Sequence, residues 1–140
     1  MKLEIKSRSC NEAFARIAVA AFVTELNPTI EEISDIKTAV SEAVTNSIIH
    51  GYEGEDGKIH IICKTYDRTV EIQIVDYGKG IENIELAKQP LYTTKPELDR
   101  SGMGFTIMEN FMDEFKIESI TGVGTKVTMK KSIKEVLWLS

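Results

Sequence analysis

Apolar residues alternate with polar ones near both ends of the chain and follow a helical period between them. Leu3 and Ile5 alternate with Lys2, Glu4 and Lys6, which predicts a short strand with one buried face. Asn11 can cap a helix whose apolar stripe is Phe14, Ile17, Ala18, Ala21, Phe22 and Leu26, and Asn27-Pro28 stops it. Thr29 and Glu32 have capping-box spacing and open a second helix. Its core stripe is Ile33, Ile36, Val40, Ala43/Val44 and Ser47/Ile48, and Gly51 ends it. Strands follow over Lys58–Tyr66 and, beyond the turn Asp67-Arg68, through Val70, Ile72 and Ile74. A short helix is expected near Asn83–Lys88, a helical period returns over Met103–Met112, and two strands close the chain at Phe115–Ile120 and Thr125–Lys130. Helices stand in a block between strands and the strands come as hairpins. The pattern predicts a two-layer α/β sandwich on a mainly antiparallel, mixed sheet, without the regular βαβ alternation of a doubly wound domain.

Length, charge and cysteines narrow the function. The 140 residues, 42% hydrophobic and 28% charged, fit one domain spanning 1–140. The net charge is -5, and residues 31–115 hold 17 acidic against 8 basic groups. That balance argues against direct nucleic-acid binding, which needs a positive field. No apolar run approaches the ~20 residues of a membrane helix, so no membrane association is expected. Cys10 and Cys63 are far apart and form no metal-type spacing, and with two histidines a zinc site is disfavoured. Cys63 continues the alternation of Ile59 and Ile61 and reads as an inert core thiol. Two lone thiols without an export signal predict the cytoplasm.

Three short segments carry candidate chemistry. Glu42 and Asn46 stand one turn apart on the second helix, a carboxylate base beside an amide oxygen suited to magnesium; taken alone, the pair could equally be a solvated face. Asp76-Tyr77-Gly78-Lys79-Gly80 puts an acid at the end of an apolar strand before two glycines. Such a carboxylate can accept a hydrogen bond from an exocyclic amine while glycine backbone approaches a flat ring, although a plain turn has the same composition. Ser101-Gly102-Met103-Gly104-Phe105 sits at a helix start, where free N–H groups favour phosphate. Its spacing is neither a P-loop nor a Rossmann fingerprint. The thirteen residues Gln89–Ser101 before it contain two prolines and no clear period, as functional loops often do.

In this order, E-A-V-T-N at Glu42–Asn46, D-Y-G-K-G at Asp76–Gly80 and S-G-M-G-F at Ser101–Phe105 resemble the three nucleotide boxes of the Bergerat-fold (GHKL) ATPases, and the likeness covers nearly the whole chain. Within that superfamily, Asn11–Arg16, Gln89–Leu98 and Arg100–Asp113 look most similar to the anti-sigma-factor serine kinases of sporulation. The resemblance implies ATP or ADP with Mg2+ as ligands. It implies Glu42 as catalytic base, Asn46 as magnesium ligand and Asp76 as reader of the adenine amino group, with Gly78, Gly80 and Thr125 shaping that pocket. It further implies a lid, Gln89–Gly104, whose Thr94, Lys95, Arg100, Ser101, Gly102, Met103 and Gly104 meet the phosphates and respond to the γ-phosphate. His50 is expected as a satisfied histidine beside the pocket. Arg16, on helix 1 and away from all three boxes, is implied as a contact to protein partners. Those partners would be a sporulation sigma factor of the F type, held inactive by a homodimer, and an anti-anti-sigma protein phosphorylated on serine. Alternatives are an anti-sigma kinase of the general stress response, a gyrase-type clamp, for which no transducer domain follows, and a module that only binds ATP. The tail Val136-Leu137-Trp138-Leu139 departs from the domain pattern and could be docked or partner-facing.

Overall fold

The structure is a computed structural model, and it describes residues 1–89 and 103–135. The expectations for Thr94, Lys95, Arg100, Ser101, Gly102 and the tail at Val136–Leu139 lie outside the described residues. The chain runs through β1 (Lys2–Lys6), α1 (Cys10–Val23), α2 (Ile30–Asn46), β2 (Lys58–Tyr66), β3 (Thr69–Asp76), α3 (Ile84–Ala87), α4 (Gly104–Phe111), β4 (Glu114–Ile120) and β5 (Gly124–Ser132). The strands form one sheet in the order β1-β2-β3-β5-β4. All four pairings are antiparallel, as the mainly antiparallel α/β sandwich expected from the sequence requires, and among the described residues no parallel pair makes the sheet mixed.

Strict alternation fixes which face of the sheet is buried. Ile59, Ile61 and Cys63 of β2 lie opposite Asp76, Ile74 and Ile72 of β3, so both buried sets point to one side. Val127 and Met129 of β5 extend that surface beyond β3. Cys63 is fully enclosed there, and burial pushes its thiol up to about 11, as an inert core thiol requires. The turn at Asp67 takes a left-handed φ of 54°. Beside it the Arg68 guanidinium donates to the carbonyls of Leu26, Ile133 and Lys134, tying the end of the first helical segment to the strand that follows.

The helices cover the apolar face. Ile36, Val40, Ala43 and Val44 of α2 are buried, and α2 packs against α1 on one side and α4 on the other. The stripe expected for α1 is buried only in part: Phe22 and Leu26 pack against the core, but Phe14 and Ile17 do not. Ala15, Val19 and Val23 face the core with no exposure, while Phe14 is 54% and Ile17 61% exposed. Both stripes satisfy a helical period. The one with small and β-branched side chains lets the helix axis approach α2 and the sheet closely, and it wins. The helix also begins earlier than expected. Ser9 precedes it, and the amide of Asn11, already inside the first turn, donates to the Lys6 carbonyl. At its far end a 3-10 turn, Thr24–Leu26, stops at Asn27 in the left-handed region.

The capping box at the start of α2 forms as the sequence predicts. Glu32 N–H donates to Thr29 Oγ1 at 3.0 Å and Thr29 N–H donates to Glu32 Oε1 at 2.8 Å. The second oxygen of Glu32 accepts from Lys134 N–H at 3.0 Å, so one buried carboxylate joins the helix start to the segment after β5. Burial pushes this carboxyl upward, but the donors from Thr29 and Lys134 outweigh it and hold it below its ordinary value. Its contribution is therefore present above the unfolded carboxyl range and lost as pH falls through the depressed folded value. At neutral pH, Thr29→Ala should lower unfolding free energy in urea by about 1 kcal/mol. Glu32→Gln should cost stability at neutral pH, with the deficit shrinking as the titration moves into acid.

Candidate functional site

The site forms where α2 meets the ends of β3 and β5. After Asn46 the helix widens into a π turn, Ser47–Gly51, before the chain leaves it. A π turn inserts one residue into the hydrogen-bond ladder and re-aims the side chains after it, which is common at functional sites. Here it turns the Ser47 hydroxyl onto Asp76 Oδ2, a buried bond of 2.8 Å across 29 residues of sequence. Asp76 Oδ1 accepts from Gly78 N–H at 3.0 Å. The Thr125 backbone N–H is a further donor to this carboxylate, which can accept up to about four hydrogen bonds in all. Asp76 is only 4% exposed, and burial raises its carboxyl above the ordinary range even though the donors from Ser47 and Gly78 pull it down.

The glycines of this loop meet protein backbone, where the sequence suggested close approach to a ring. A Cβ on Gly78 would fall 2.1 Å from the Gly51 carbonyl oxygen, and one on Gly80, at φ 79°, would fall 2.5 Å from that of Ile120. Lys79 N–H also donates to the Gly51 carbonyl, and its own carbonyl accepts from Gly122 N–H. The loop is therefore clamped between the π turn and the β4–β5 turn. Ser119 completes the clamp: its hydroxyl oxygen accepts from Ile81 N–H at 2.7 Å, its hydroxyl lies 3.0 Å from the Gly124 carbonyl, and it stands 2.9 Å from Thr125 Oγ1. Thr125 is the register partner of Asp76 across the sheet.

These elements enclose a cavity of about 420 Å³, lined by Asn46, His50, Asp76, Gly80, Gly104 and Thr125 among others. Its size and its mixture of apolar wall and convergent polar groups suit a small molecule. α4 begins at the cavity wall, with Gly104. A Cβ on Gly104 would lie 2.9 Å from Asn46 Nδ2 and 3.2 Å from Glu42 Oε2, so a bare glycine at the helix start leaves room for both side chains. The expected residues Glu42, Asn46, Asp76, Gly80, Gly104 and Thr125 are brought together, Met103 precedes the first residue of α4, and His50 stands in the cavity wall. Among the described residues no three His, Cys, Asp or Glu side chains group around a metal position. The Asn46 amide oxygen still fits magnesium, an ion that needs few protein ligands when phosphates and water supply the rest.

Arg16 is placed differently from the expectation. It stands in a groove between α1 and α2 that Glu42 also lines, so helix 1 is not remote from the first box. Sequence reasoning missed Ser47, Gly51, Tyr52 and Ser119. Tyr52 accepts from Tyr77 N–H at 2.7 Å and donates to the Lys58 carbonyl, bracing the loop from outside. The one available signal was the run Asn46-Ser47 followed by Gly51, which places a hydroxyl and a bare backbone position within two turns of the Asn46 amide.

The sequence that builds this sheet, helical layer and cavity matches a known domain family. The profile of the histidine kinase-like ATPase domain covers residues 8–131. A protein of Clostridium beijerinckii named anti-sigma F factor is 60% identical over 97% of this chain and 96% of its own length. The anti-sigma F factor of Clostridium botulinum strain Eklund 17B is 63% identical over 94% of this chain and 92% of its own length. That of Clostridium novyi is 56% identical over 97% and 96%. The fold and cavity are thus those of a histidine kinase-like, GHKL-type ATPase domain, and the chain belongs to the anti-sigma F factor family. Among the described residues no helix is long and apolar enough to cross a membrane.

The raised carboxyl of Asp76 makes a double prediction. Its folded value lies above its unfolded one, so this group's contribution to stability declines as pH rises through that interval, and the full cost is present above it. Relative to the wild type, the Tm of Asp76→Asn should therefore rise as pH climbs through that interval, offset at every pH by loss of an acceptor that Ser47 or Gly78 uses. The same substitution should weaken ATP binding by about 2 kcal/mol in calorimetry, because a buried acceptor then faces the ligand with the wrong polarity.

Proposed function

We propose that this chain, as one ATP-binding domain over residues 1–140, is an anti-sigma factor and a serine-protein kinase. In this reading it binds and inhibits a sporulation sigma factor of the F type and uses Mg-ATP to phosphorylate a serine of an anti-anti-sigma protein. The observation that carries it is the meeting of Glu42 and Asn46 at Gly104, on the wall of the cavity that the buried carboxylate of Asp76 also lines. Asp76 accepts a hydrogen bond from the exocyclic amine of adenine, and Thr125, beside it, supports that edge. Phosphates then lie toward the N-terminus of α4, where the helix presents unsatisfied N–H groups. Asn46 would hold magnesium, which when bound offsets phosphate charge.

At the far end Glu42 orients the acceptor serine and takes its proton. The serine oxygen bonds the γ-phosphorus as the bond to the bridging oxygen breaks, and ADP leaves with that electron pair. Most of the acceleration comes from positioning and charge neutralisation. Arg16 supports the partner-binding half of the reading: its Nε is buried without a hydrogen-bond partner among the described residues, and Glu12, 3.8 Å away, already accepts the Ser41 hydroxyl. The family relationship favours sporulation over the general stress response, and pull-down of the bound sigma factor separates the two.

The outward stripe of α1 supports a homodimer, since Phe14 and Ile17 would otherwise leave adjacent apolar surface in water. Two measurements test these readings. Glu42→Gln should keep ATP affinity while slowing transfer of radiolabelled phosphate to the anti-anti-sigma serine by roughly a hundredfold or more. Transfer at the wild-type rate would remove Glu42 as the base. Phe14→Glu should sediment as a folded monomer, and a persisting dimer would place the interface elsewhere.

A further inference from the structure

Ser119 is the next-to-last residue of β4, and its hydroxyl touches three polar groups whose roles can be counted. A serine hydroxyl has one proton to donate and two lone pairs that accept. The Gly124 carbonyl, 3.0 Å away, can only accept, so it takes the Ser119 proton. The Ile81 N–H, 2.7 Å away, can only donate, so it occupies one lone pair. The third neighbour is the Thr125 hydroxyl at 2.9 Å, which by itself could play either part. With the single proton committed, only the second lone pair of Ser119 is left. Thr125 is therefore the donor to Ser119, and its own oxygen remains as an acceptor.

The other side of Asp76 follows the same count. Ser47 donates its only hydroxyl proton to Asp76 Oδ2 at 2.8 Å. Asp76, as a carboxylate, only accepts. Ser47, Asp76 and Thr125 all line the nucleotide cavity. The two hydroxyls beside the carboxylate thus have their protons turned into the protein, and a ligand there meets lone pairs.

Resting on the reading of Asp76 as the adenine contact, we infer that Ser119 is a specificity-determining residue of this site: it holds Thr125 as an acceptor and so selects a purine with an amine at C6 over one with an oxo group there. An amine brings protons to Asp76 and to the lone pairs of Thr125. An oxo group brings only lone pairs to the same place and leaves the acceptors around it unpaired. An uncommitted Thr125 hydroxyl could turn its proton toward that oxygen and weaken the choice. Ser119 removes this freedom from behind the cavity wall, which Ile81 and Thr125 form. It is a positioning residue. The backbone holds the same arrangement in place. A Cβ on Gly124 would fall 2.1 Å from the Asp76 carbonyl oxygen, and Thr125 is the register partner of Asp76. The acceptor of the Ser119 proton and the residue that Ser119 orients are thus both held against the strand that carries the carboxylate.

The test compares ATP with ITP, which differs from it only by an oxo group at C6 and the proton this places on N1. Both dissociation constants are measured by calorimetry on the full chain with magnesium. The wild type should bind ATP roughly a hundredfold or more tighter than ITP. In Ser119→Ala that ratio should fall by roughly tenfold, chiefly because ITP binds more tightly. Ser119→Thr, which keeps a hydroxyl on the strand, should preserve the wild-type ratio. In a Thr125→Val background, adding Ser119→Ala should leave the ratio where it was, since the group it acts through is gone. An unchanged ratio in Ser119→Ala, with both nucleotides weakened alike, would overturn the inference and make Ser119 a brace of the loop. A fall of the same size in the Thr125→Val background would overturn it too. If Ser119→Ala does not fold, Ser119→Cys, whose thiol is a weak donor and acceptor, is judged by the same outcomes. Equal binding of ATP and ITP by the wild type, or binding of neither, would instead overturn the adenine reading and the inference with it.

Discussion

Asp76 is a carboxylate at the end of a strand with almost no access to water, and such a group is tolerated only where donors surround it. Ser47, Gly78 and the Thr125 backbone are those donors, and they come from three different elements. The π turn after α2 exists in a form that aims Ser47 at Asp76. The loop after β3 folds back so that the Gly78 amide reaches the same side chain, and this brings it against Gly51. Once the loop is fixed, Lys79 and Gly80 meet the β4–β5 turn, and Thr125 falls beside Asp76 by register alone. Helix, sheet and loop are thus assembled about one desolvated acid, whose remaining acceptor capacity opens onto the cavity.

α2 is a common wall of the cavity and of the groove. One of its faces is the central layer of the core, through Ile36, Val40 and Val44. Its C-terminal turn carries Glu42 and Asn46 toward the start of α4, and its outer flank forms the floor of the groove with α1. Capping at Thr29 and Glu32 fixes where this helix begins, and the same Glu32 is fastened to Lys134 beyond the last strand. A small rotation of α2 would therefore displace a core face, a cavity wall and a groove floor together. Capping at its N-terminus thus fixes the helix that positions Glu42 and Asn46, about four turns away.

Much of this was legible in the residues, and the failures have specific causes. β2 matches its expected span residue for residue because a sheet covered on one side demands alternation over its whole length, and Ile59, Ile61 and Cys63 supply it. The capping box was equally plain, since two side chains at fixed spacing can satisfy each other with no help from the rest of the fold. α1 misled because an alanine-rich helix offers two apolar stripes. Side-chain size pointed to Phe14 and Ile17, whereas close packing selected Ala15, Val19 and Val23. Ser47 was assigned to the core on spacing. It is buried, yet the change of helical pitch that brings it to Asp76 is a tertiary effect with no periodic signature. Arg16 and Glu42 share a groove although 26 residues separate them, and nothing in a one-dimensional pattern reports that.

The π turn carries a last consequence, for the length of the chain itself. Regularising Ser47–Gly51 into an ordinary helix would need the removal of one residue, and every side chain beyond the deletion would swing by about 100° around the axis. His50 would leave the cavity wall, and Gly51 would no longer present its carbonyl to Lys79. Substitutions in this stretch can be absorbed one at a time, but its residue count cannot change. Relatives that diverge freely in composition here should still keep the same spacing between Asn46 and the glycine that receives the loop.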